Sequence, residues 1–257
     1  NIYTDHSLGA SIVNSSELPT NSTVSYSFDW RLFNRSIAIV NMPFDLNGSN
    51  PTTGNWTTVA DYSSFANHAE YNGSVSTMPR WNRTGGYDGK GAYYFDGTSD
   101  TVSIPHSASL KPLKQMTISV WVNPDTGSLT TMREIYRKDD GNTRHLLSFQ
   151  AEGGCNGVCG AGANPCISFG ISNGSSYNEV DVDITATEWT GNWQHLVVTY
   201  DGTNKKIYKN GIQICNVPAT GDIGTAGTAA AYIGSSSGTG EYFKGYIDQL
   251  QIYNRSL

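Results

Sequence analysis

Gly191-Asn192-Trp193-Gln194-His195-Leu196-Val197-Val198-Thr199-Tyr200-Asp201-Gly202 leads into Ile207-Tyr208-Lys209-Asn210-Gly211 and then Ile212–Val217. Three short apolar-rich runs, Gln194–Tyr200, Lys206–Lys209 and Ile212–Val217, are separated by Asp201-Gly202 and Asn210-Gly211. Asp-Gly and Asn-Gly reverse the chain at little steric cost, because both residues tolerate the positive φ of a tight turn. The stretch therefore reads as an antiparallel meander.

The same grammar extends in both directions. Helical periodicity is nearly absent, while period-two alternation recurs. Val24, Tyr26, Phe28, Trp30 and Leu32 alternate with Ser25, Ser27, Asp29 and Arg31, predicting a half-buried strand roughly 33 Å long. Further runs are Ser36–Phe44, Gly91–Phe95, Thr101–Pro105, Met116–Asn123, His145–Gln150, Cys166–Ser172, Glu179–Ile184, Ala230–Gly234 and Tyr242–Tyr253. Turn signals at Asp96-Gly97, Asp140-Gly141 and Asn173-Gly174 punctuate them. About a dozen strands without a long helix predict an all-β, antiparallel jelly-roll β-sandwich. Residues 1–23 are polar and poorly alternating, so residues 1–35 read as an N-terminal arm and amphipathic strand, either a donor to a neighbouring subunit, a completion of this chain's own sandwich or an Ig-like remnant, and 36–257 as the sandwich domain.

Composition excludes several classes of function. Charged residues make up 15% of the chain and the formal net charge is −6, too little positive charge for a nucleic-acid surface. No run approaches 18 apolar residues, so no membrane span is expected. Fifteen Tyr, eight Phe and six Trp supply a core, and 28 Gly supply turns. No basic-then-apolar leader opens the sequence, so a secreted form is expected to carry Asn1 as its mature end.

Two features point to export. Nine N-x-[ST] sequons, at Asn14, Asn21, Asn34, Asn47, Asn55, Asn72, Asn82, Asn173 and Asn254, are about twice what chance would place. Cys155, Cys159, Cys166 and Cys215 are even in number and three of them lie in or beside a Gly-rich segment, which suits disulfides in any of three pairings. The alternative, a zinc site, would need ligands in C-x3-C-x6-C spacing with no nearby His.

Five motifs in order carry a family resemblance. They are Gly89-Lys90-Gly91-Ala92-Tyr93-Tyr94-Phe95-Asp96-Gly97 with Val102–Ser107, Met116–Pro124, Gly191–Gly202, Ile207–Gly211, and Gly245-Tyr246-Ile247-Asp248-Gln249-Leu250-Gln251-Ile252-Tyr253-Asn254-Arg255. From about Ser36 onward the chain resembles the laminin-G-like branch of the concanavalin A-like lectin/glucanase superfamily. Its lead-in, with Leu18–Asn21 and Ser36–Val40, resembles that of archaeal multi-domain surface proteins of this family. The resemblance implies a jelly roll, an extracellular or cell-surface setting, and glycan binding, adhesion or surface architecture. The four-cysteine insert departs from the family pattern.

Candidate sites follow. On strict alternation Asp248 shares a face with Tyr246, Leu250 and Ile252, and a carboxylate on an apolar face needs compensation. Backbone N–H groups could supply it. The resemblance instead implies a structural Ca²⁺, held by Asp248 with Asp61 and Asn67 of the Asp61–Asn67 loop and with Asp96 at its tight turn. Glu179, Asp181 and Asp183 alternate along one strand face as a ligand-facing or solvated acidic strip. They are similar to the E-x-D-x-E strand of β-glucanases. Retaining hydrolysis needs carboxyls ~5–5.5 Å apart, whereas i and i+4 Cα atoms on a strand are roughly 13 Å apart, and Asp183 is a methylene short. Gly234-Ser235-Ser236-Ser237-Gly238 matches a nucleophile elbow by letter only, since an all-β chain offers no strand–turn–helix. His195, in the Trp193-Gln194-His195 motif, reads as a satisfied core residue, and Trp121 and Trp193 as packing residues first and sugar platforms second.

The sequence thus predicts a non-catalytic extracellular surface glycoprotein. One form is a self-assembling subunit of a filament or surface layer, with Val24, Tyr26, Phe28, Trp30 and Leu32 adding to a neighbouring copy's sheet, or an adhesion module facing other surface proteins. The alternatives are a soluble or anchored lectin-like module binding glycans, and a β-glucanase-type glycoside hydrolase.

Overall fold

Met116, Ile118, Val120 and Val122 are buried while Ser119, Trp121 and Asn123 between them are half-exposed. That period of two recurs through a computed structural model that describes residues 29–48, 58–71, 77–140, 144–152, 154–155, 158–160, 162, 165–173, 176–224 and 227–257. In chain order the strands are β1 (Arg31–Leu32), β2 (Arg35–Ser36), β3 (Val40–Met42), β4 (Thr58–Val59), β5 (Ala69–Glu70), β6 (Arg80–Asn82), β7 (Ala92–Asp96) and β8 (Val102–Ile104). Next come β9 (Met116–Pro124), β10 (Arg133–Lys138), β11 (His145–Phe149), β12 (Cys166–Ser172) and β13 (Tyr177–Asp183). A four-residue helix, α1 (Ala186–Trp189), precedes β14 (Gln194–Tyr200), β15 (Asn204–Lys209), β16 (Ile212–Pro218), β17 (Ala231–Ile233) and β18 (Lys244–Tyr253).

Two antiparallel eight-stranded sheets pack face to face as a jelly-roll β-sandwich. One runs β16-β15-β14-β9-β18-β7-β6, with β3 also pairing β18. The other runs β13-β12-β11-β10-β17-β8-β5-β4. The inward faces meet in one core, centred on Phe149, Phe243, Phe95 and Trp189. Phe149 meets the Trp189 edge at 5.6 Å and stacks on Phe243 at 6.1 Å. Each such side chain contributes about 1.5–3 kcal/mol through burial. Among the described residues no helix is long and apolar enough to cross a membrane.

Four departures from strict alternation shape the surface. The run Ser36–Phe44 is not one strand. Β2 ends at Ser36, β3 covers only Val40–Met42, and Phe44 takes a positive φ that ends the pairing. Val24, Tyr26 and Phe28 lie outside the described residues. Trp30 is not in a strand, and Arg31–Leu32 pairs back onto Arg35–Ser36 through Phe33 and Asn34, both at positive φ. This hairpin leaves Trp30, Leu32 and Phe33 exposed, Phe33 by 94%.

Β10 is unforeseen, because Glu134, Arg137 and Lys138 are buried polar residues that break the apolar pattern. Ion pairs hold the first two, and the Ala229 carbonyl accepts from Lys138 Nζ at 2.6 Å. Finally, β18 slips register against β9 between Asp248 and Gln251, with Gln249 at positive φ. This bulge inverts the face. Ile247, Leu250 and Ile252 point into the core, while Asp248 sits opposite Trp121 on the outer side, correcting the expected shared face with Leu250 and Ile252.

Candidate functional site

The outer face of the β9–β14–β18 sheet carries an aromatic ridge. Tyr87 stacks on Trp121 with centroids 3.8 Å apart and planes 7° from parallel, and His195 stacks on Trp121 at 4.9 Å. Cross-strand pairing explains the row, since His195 sits directly opposite Trp121. His195 is therefore half-buried on the surface and not a core residue. Its Nε2 lies 2.9 Å from Ser119 Oγ, and burial pushes its pKa down, so the ring is neutral at pH 7. Trp193 and Tyr246 extend the face at 6.2 Å, whereas Trp189 is the tryptophan sealed in the core.

Beyond His195 the face hollows into a groove of about 300 Å³, lined by Thr117, Ser119, His195, Val197, Thr199, Tyr208, Gly211, Tyr253 and Leu257. Register places these side chains outward together: Val197 pairs Ser119 and Tyr208, and Tyr253 and Thr199 pair Thr117. Imidazole and phenol rings around an open hollow suit the C–H faces of a polyhydroxylated ligand, while Thr117 Oγ1 and Tyr253 Oη are engaged with Arg255 O and Gln251 Oε1.

The metal residues expected from the sequence separate. Asp61 is saturated: Asn41 N and Ser63 N donate to Oδ1 at 2.8 and 2.9 Å, and Ser63 Oγ and Asn67 N to Oδ2 at 2.7 Å. Asn67 donates its amide to Ile39 O and Ser109 Oγ. Asp96 caps its own turn. Burial raises its carboxyl, but hydrogen bonds from Thr98, Ser99 and Asp100 outweigh it and hold the pKa low. Asp61 and Asn67 organise one loop and Asp96 another, by protein donors alone.

Asp248 is different. It is 1% exposed, Tyr87 N donates to Oδ2 at 3.2 Å, and the Gln249 N–H also acts on the carboxylate, though Oδ1 has no partner within full hydrogen-bond geometry. Burial, with the charges of Asp88 and Asp45, pushes its pKa up to about 7. Asp45 Oδ1 is likewise buried and unpartnered, and burial raises that pKa too, against the pull of Lys90 at 4.0 Å. A Cβ on Gly86 would lie 2.7 Å from Gly91 O, 2.8 Å from Asp248 Oδ2 and 2.9 Å from Lys90 O, so oxygens converge where only glycine fits. One carboxylate oxygen and two carbonyls are oxygen donors of the kind a hard cation such as Ca²⁺ takes, although Lys90 O already accepts from Gly86 N and among the described residues Asp248 is not clustered with two further carboxylates.

Glu179, Asp181 and Asp183 do share the outward face of β13, but they form no free strip. Asp181 is fully buried, within 4.8 Å of the Cys155 and Cys166 sulfurs, and its carbonyl accepts from Cys159 N. Burial raises the Glu179 pKa, and Glu179 accepts from Tyr177 Oη at 2.5 Å and Glu152 N at 2.8 Å. Gly170 opposite leaves room for the Tyr177 ring. The cysteines pair as Cys155–Cys166 and Cys159–Cys215, fastening the loop to β12 and to β16 of the other sheet. Gly234–Gly238 is a Ser/Gly turn in which Ser235 Oγ meets Thr101 Oγ1 at 2.5 Å.

Of the described sequons, Asn34, Asn47, Asn173 and Asn254 are exposed, and Asn82 is half-buried with its amide on Tyr246 Oη at 3.0 Å. Asn14, Asn21, Asn55 and Asn72 lie outside the described residues. A second hollow, about 320 Å³, is bounded by Phe44, Asp45, Tyr62 and His68, beside Asn47.

Sandwich, outward aromatic face and disulfide-fastened loop define a lectin-like β-sandwich module. A sequence model described as the concanavalin A-like lectin/glucanases superfamily (Laminin_G_3) matches residues 96–257, and the chain belongs to that family. Domain 4 of an extracellular arabinanase from Geobacillus stearothermophilus, solved with arabinotriose, superposes with a TM-score of 0.58 and 23% identity. That match covers 87% of this chain and 95% of the other. The binding domain of Paraclostridial Mosquitocidal Protein 1 matches at 0.60 and 13%, over 86% of this chain and 49% of that one. The botulinum neurotoxin serotype G binding domain matches at 0.59 and 14%, over 86% and 48%. The chain thus spans about half the length of these toxin domains. These likenesses show the fold. No curated protein sequence matches.

Proposed function

We propose that this protein is a non-catalytic, extracellular carbohydrate-binding module, acting in adhesion or targeting through the outer face of β9, β14 and β15. The observation that carries the reading is the groove beside His195, where Tyr208 and Tyr253 stand among the hydroxyls of Thr117, Ser119 and Thr199. The arabinanase domain solved with arabinotriose supports it as a fold relative found with a short oligosaccharide. Two disulfides support an oxidising, extracellular setting. Ca²⁺ bound at Asp248 would neutralise its buried charge and fix the loop carrying Tyr87 against the sheet. A glycan array probed with the wild type and with Tyr208→Ala tests the reading. Saturable binding lost in the variant supports it, and silence of the wild type across the array would end it.

A second reading, self-assembly, is favoured by the hairpin that leaves Trp30, Leu32 and Phe33 exposed. It requires association that depends on these residues. Sedimentation showing unchanged association in a Trp30→Ser, Leu32→Ser, Phe33→Asn triple variant would exclude it.

A further inference from the structure

Lys205 is a lysine turned inward. It lies on β15, is 2% exposed, and its Nζ donates to the carbonyl oxygen and, at 3.0 Å, to the side-chain Oδ1 of Asn178 on β13. β16 and β13 are the edge strands of the two sheets on this side. The Cys159–Cys215 bond ties this edge at Cys215, while beside Lys205 the sandwich opens into a pocket of about 250 Å³. Ser176, Asn178, Tyr200, Thr220 and Asp222 share the lining with the lysine.

A buried ammonium normally carries a carboxylate partner, because an uncompensated charge is costly to desolvate. No carboxylate among the described residues lies within ion-pair distance of Nζ. Both named acceptors belong to one asparagine, and neither supplies a full counter-charge. Of the ionisable groups facing this region, Glu179 acts on Lys205 only at a distance, Tyr200 donates its hydroxyl to Gly221 O, and Asp222 is exposed at the rim near Lys114. Burial pushes the Lys205 pKa down to about 8, with Glu179 opposing. The ammonium is therefore present at neutral pH and short of an anion.

We propose that this pocket binds the carboxylate of an acidic sugar, with Lys205 as the counter-charge and Ser176, Asn178 and Thr220 available to the sugar hydroxyls. The proposal rests on the carbohydrate-binding reading but uses a separate site, at the sheet edge and not on the aromatic face.

Calorimetric titration of the full chain with D-glucuronate and, in parallel, D-glucose tests it at pH 7. Glucuronate is expected to bind at least about tenfold more tightly than glucose, with that preference lost in Lys205→Met. Thr220→Trp, which fills the pocket and leaves the buried lysine in place, is expected to abolish glucuronate binding, so the test survives if Lys205→Met fails to fold. Tyr208→Ala should leave glucuronate binding unchanged, which separates this site from the groove. Equal affinity for the two sugars, or a glucuronate preference that persists in Thr220→Trp, would overturn the proposal, while array binding lost in Tyr208→Ala would stand independently.

Discussion

The carboxylate of Asp248 accepts the backbone N–H of Tyr87 at 3.2 Å, tying the closing strand to the loop whose ring lies on Trp121. The bond forms on the outer side of the sheet because the bulge at Gln249 turns Asp248 away from the core. One register slip therefore places the buried carboxylate where it holds the Tyr87 loop over Trp121.

The raised pKa of Asp248 sets a pH dependence. The folded chain keeps the proton up to about pH 7, whereas the unfolded chain releases it near 3.8. Stability therefore falls as pH rises from about 4 to about 7 and stays lower above that, by on the order of 4 kcal/mol without a cation. Under the proposed Ca²⁺ binding, ligation of the ionised form would offset part of this loss, about 2–3 kcal/mol at a hundredfold excess over Kd. Thermal melts at pH 8 should show Ca²⁺ raising the Tm of the wild type and not of Asp248→Asn, which should itself be the more stable in EDTA. Identical melts with Ca²⁺ and EDTA for the wild type would remove the metal from the account.

The two disulfides should contribute unequally. Cys159–Cys215 closes 56 residues and Cys155–Cys166 closes 11, so chain entropy gives about 4 and about 3 kcal/mol. Urea unfolding of paired Cys→Ser variants is expected to show the larger loss for the bond joining the two sheets. The reverse order would mean that the short loop's cover over Asp181 matters more than closure.

Glycan occupancy should follow exposure. Asn34, at the tip of the hairpin, and Asn47, Asn173 and Asn254 are exposed residues. Asn82 already uses its amide on Tyr246. Mass-spectrometric mapping of the protein from its own cells should find the first four modified and Asn82 bare; a modified Asn82 would require the Tyr246 contact to open.

Much of the fold was legible because local and global patterns agree. The bounds of Gln194–Tyr200 and Cys166–Ser172 agree residue for residue, the first built on the apolar run Leu196–Val198 before Asp201-Gly202, the second alternating Ile167, Phe169 and Ile171 with small or polar residues. Β10 is hidden from the pattern, since Glu134 and Arg137 are buried as ion-pair partners, Arg137 also reaching Asp139 and Glu241, relations that periodicity cannot register. The site was less legible. Strict alternation put Asp248 on the core face, and nothing in a glutamine at 249 announces the positive φ that inverts it. Asp61 carries the same side chain as Asp248, yet four donors close around one and leave the other with an open oxygen. The Trp193-Gln194-His195 motif suggests a core residue at His195, whereas strand parity sends Leu196 and Val198 inward and His195 out.

The central claim is that a glycan sits on the outer face of β9, β14 and β15. Amide chemical-shift mapping of the labelled protein, titrated with arabinotriose and with any glycan that binds on the array, tests it most directly. The account predicts saturable shifts for a bound glycan centred on Ser119, His195, Val197 and Tyr208. Shifts centred instead on Glu179–Asp183 and the cysteine loop, or none with any glycan, would contradict it.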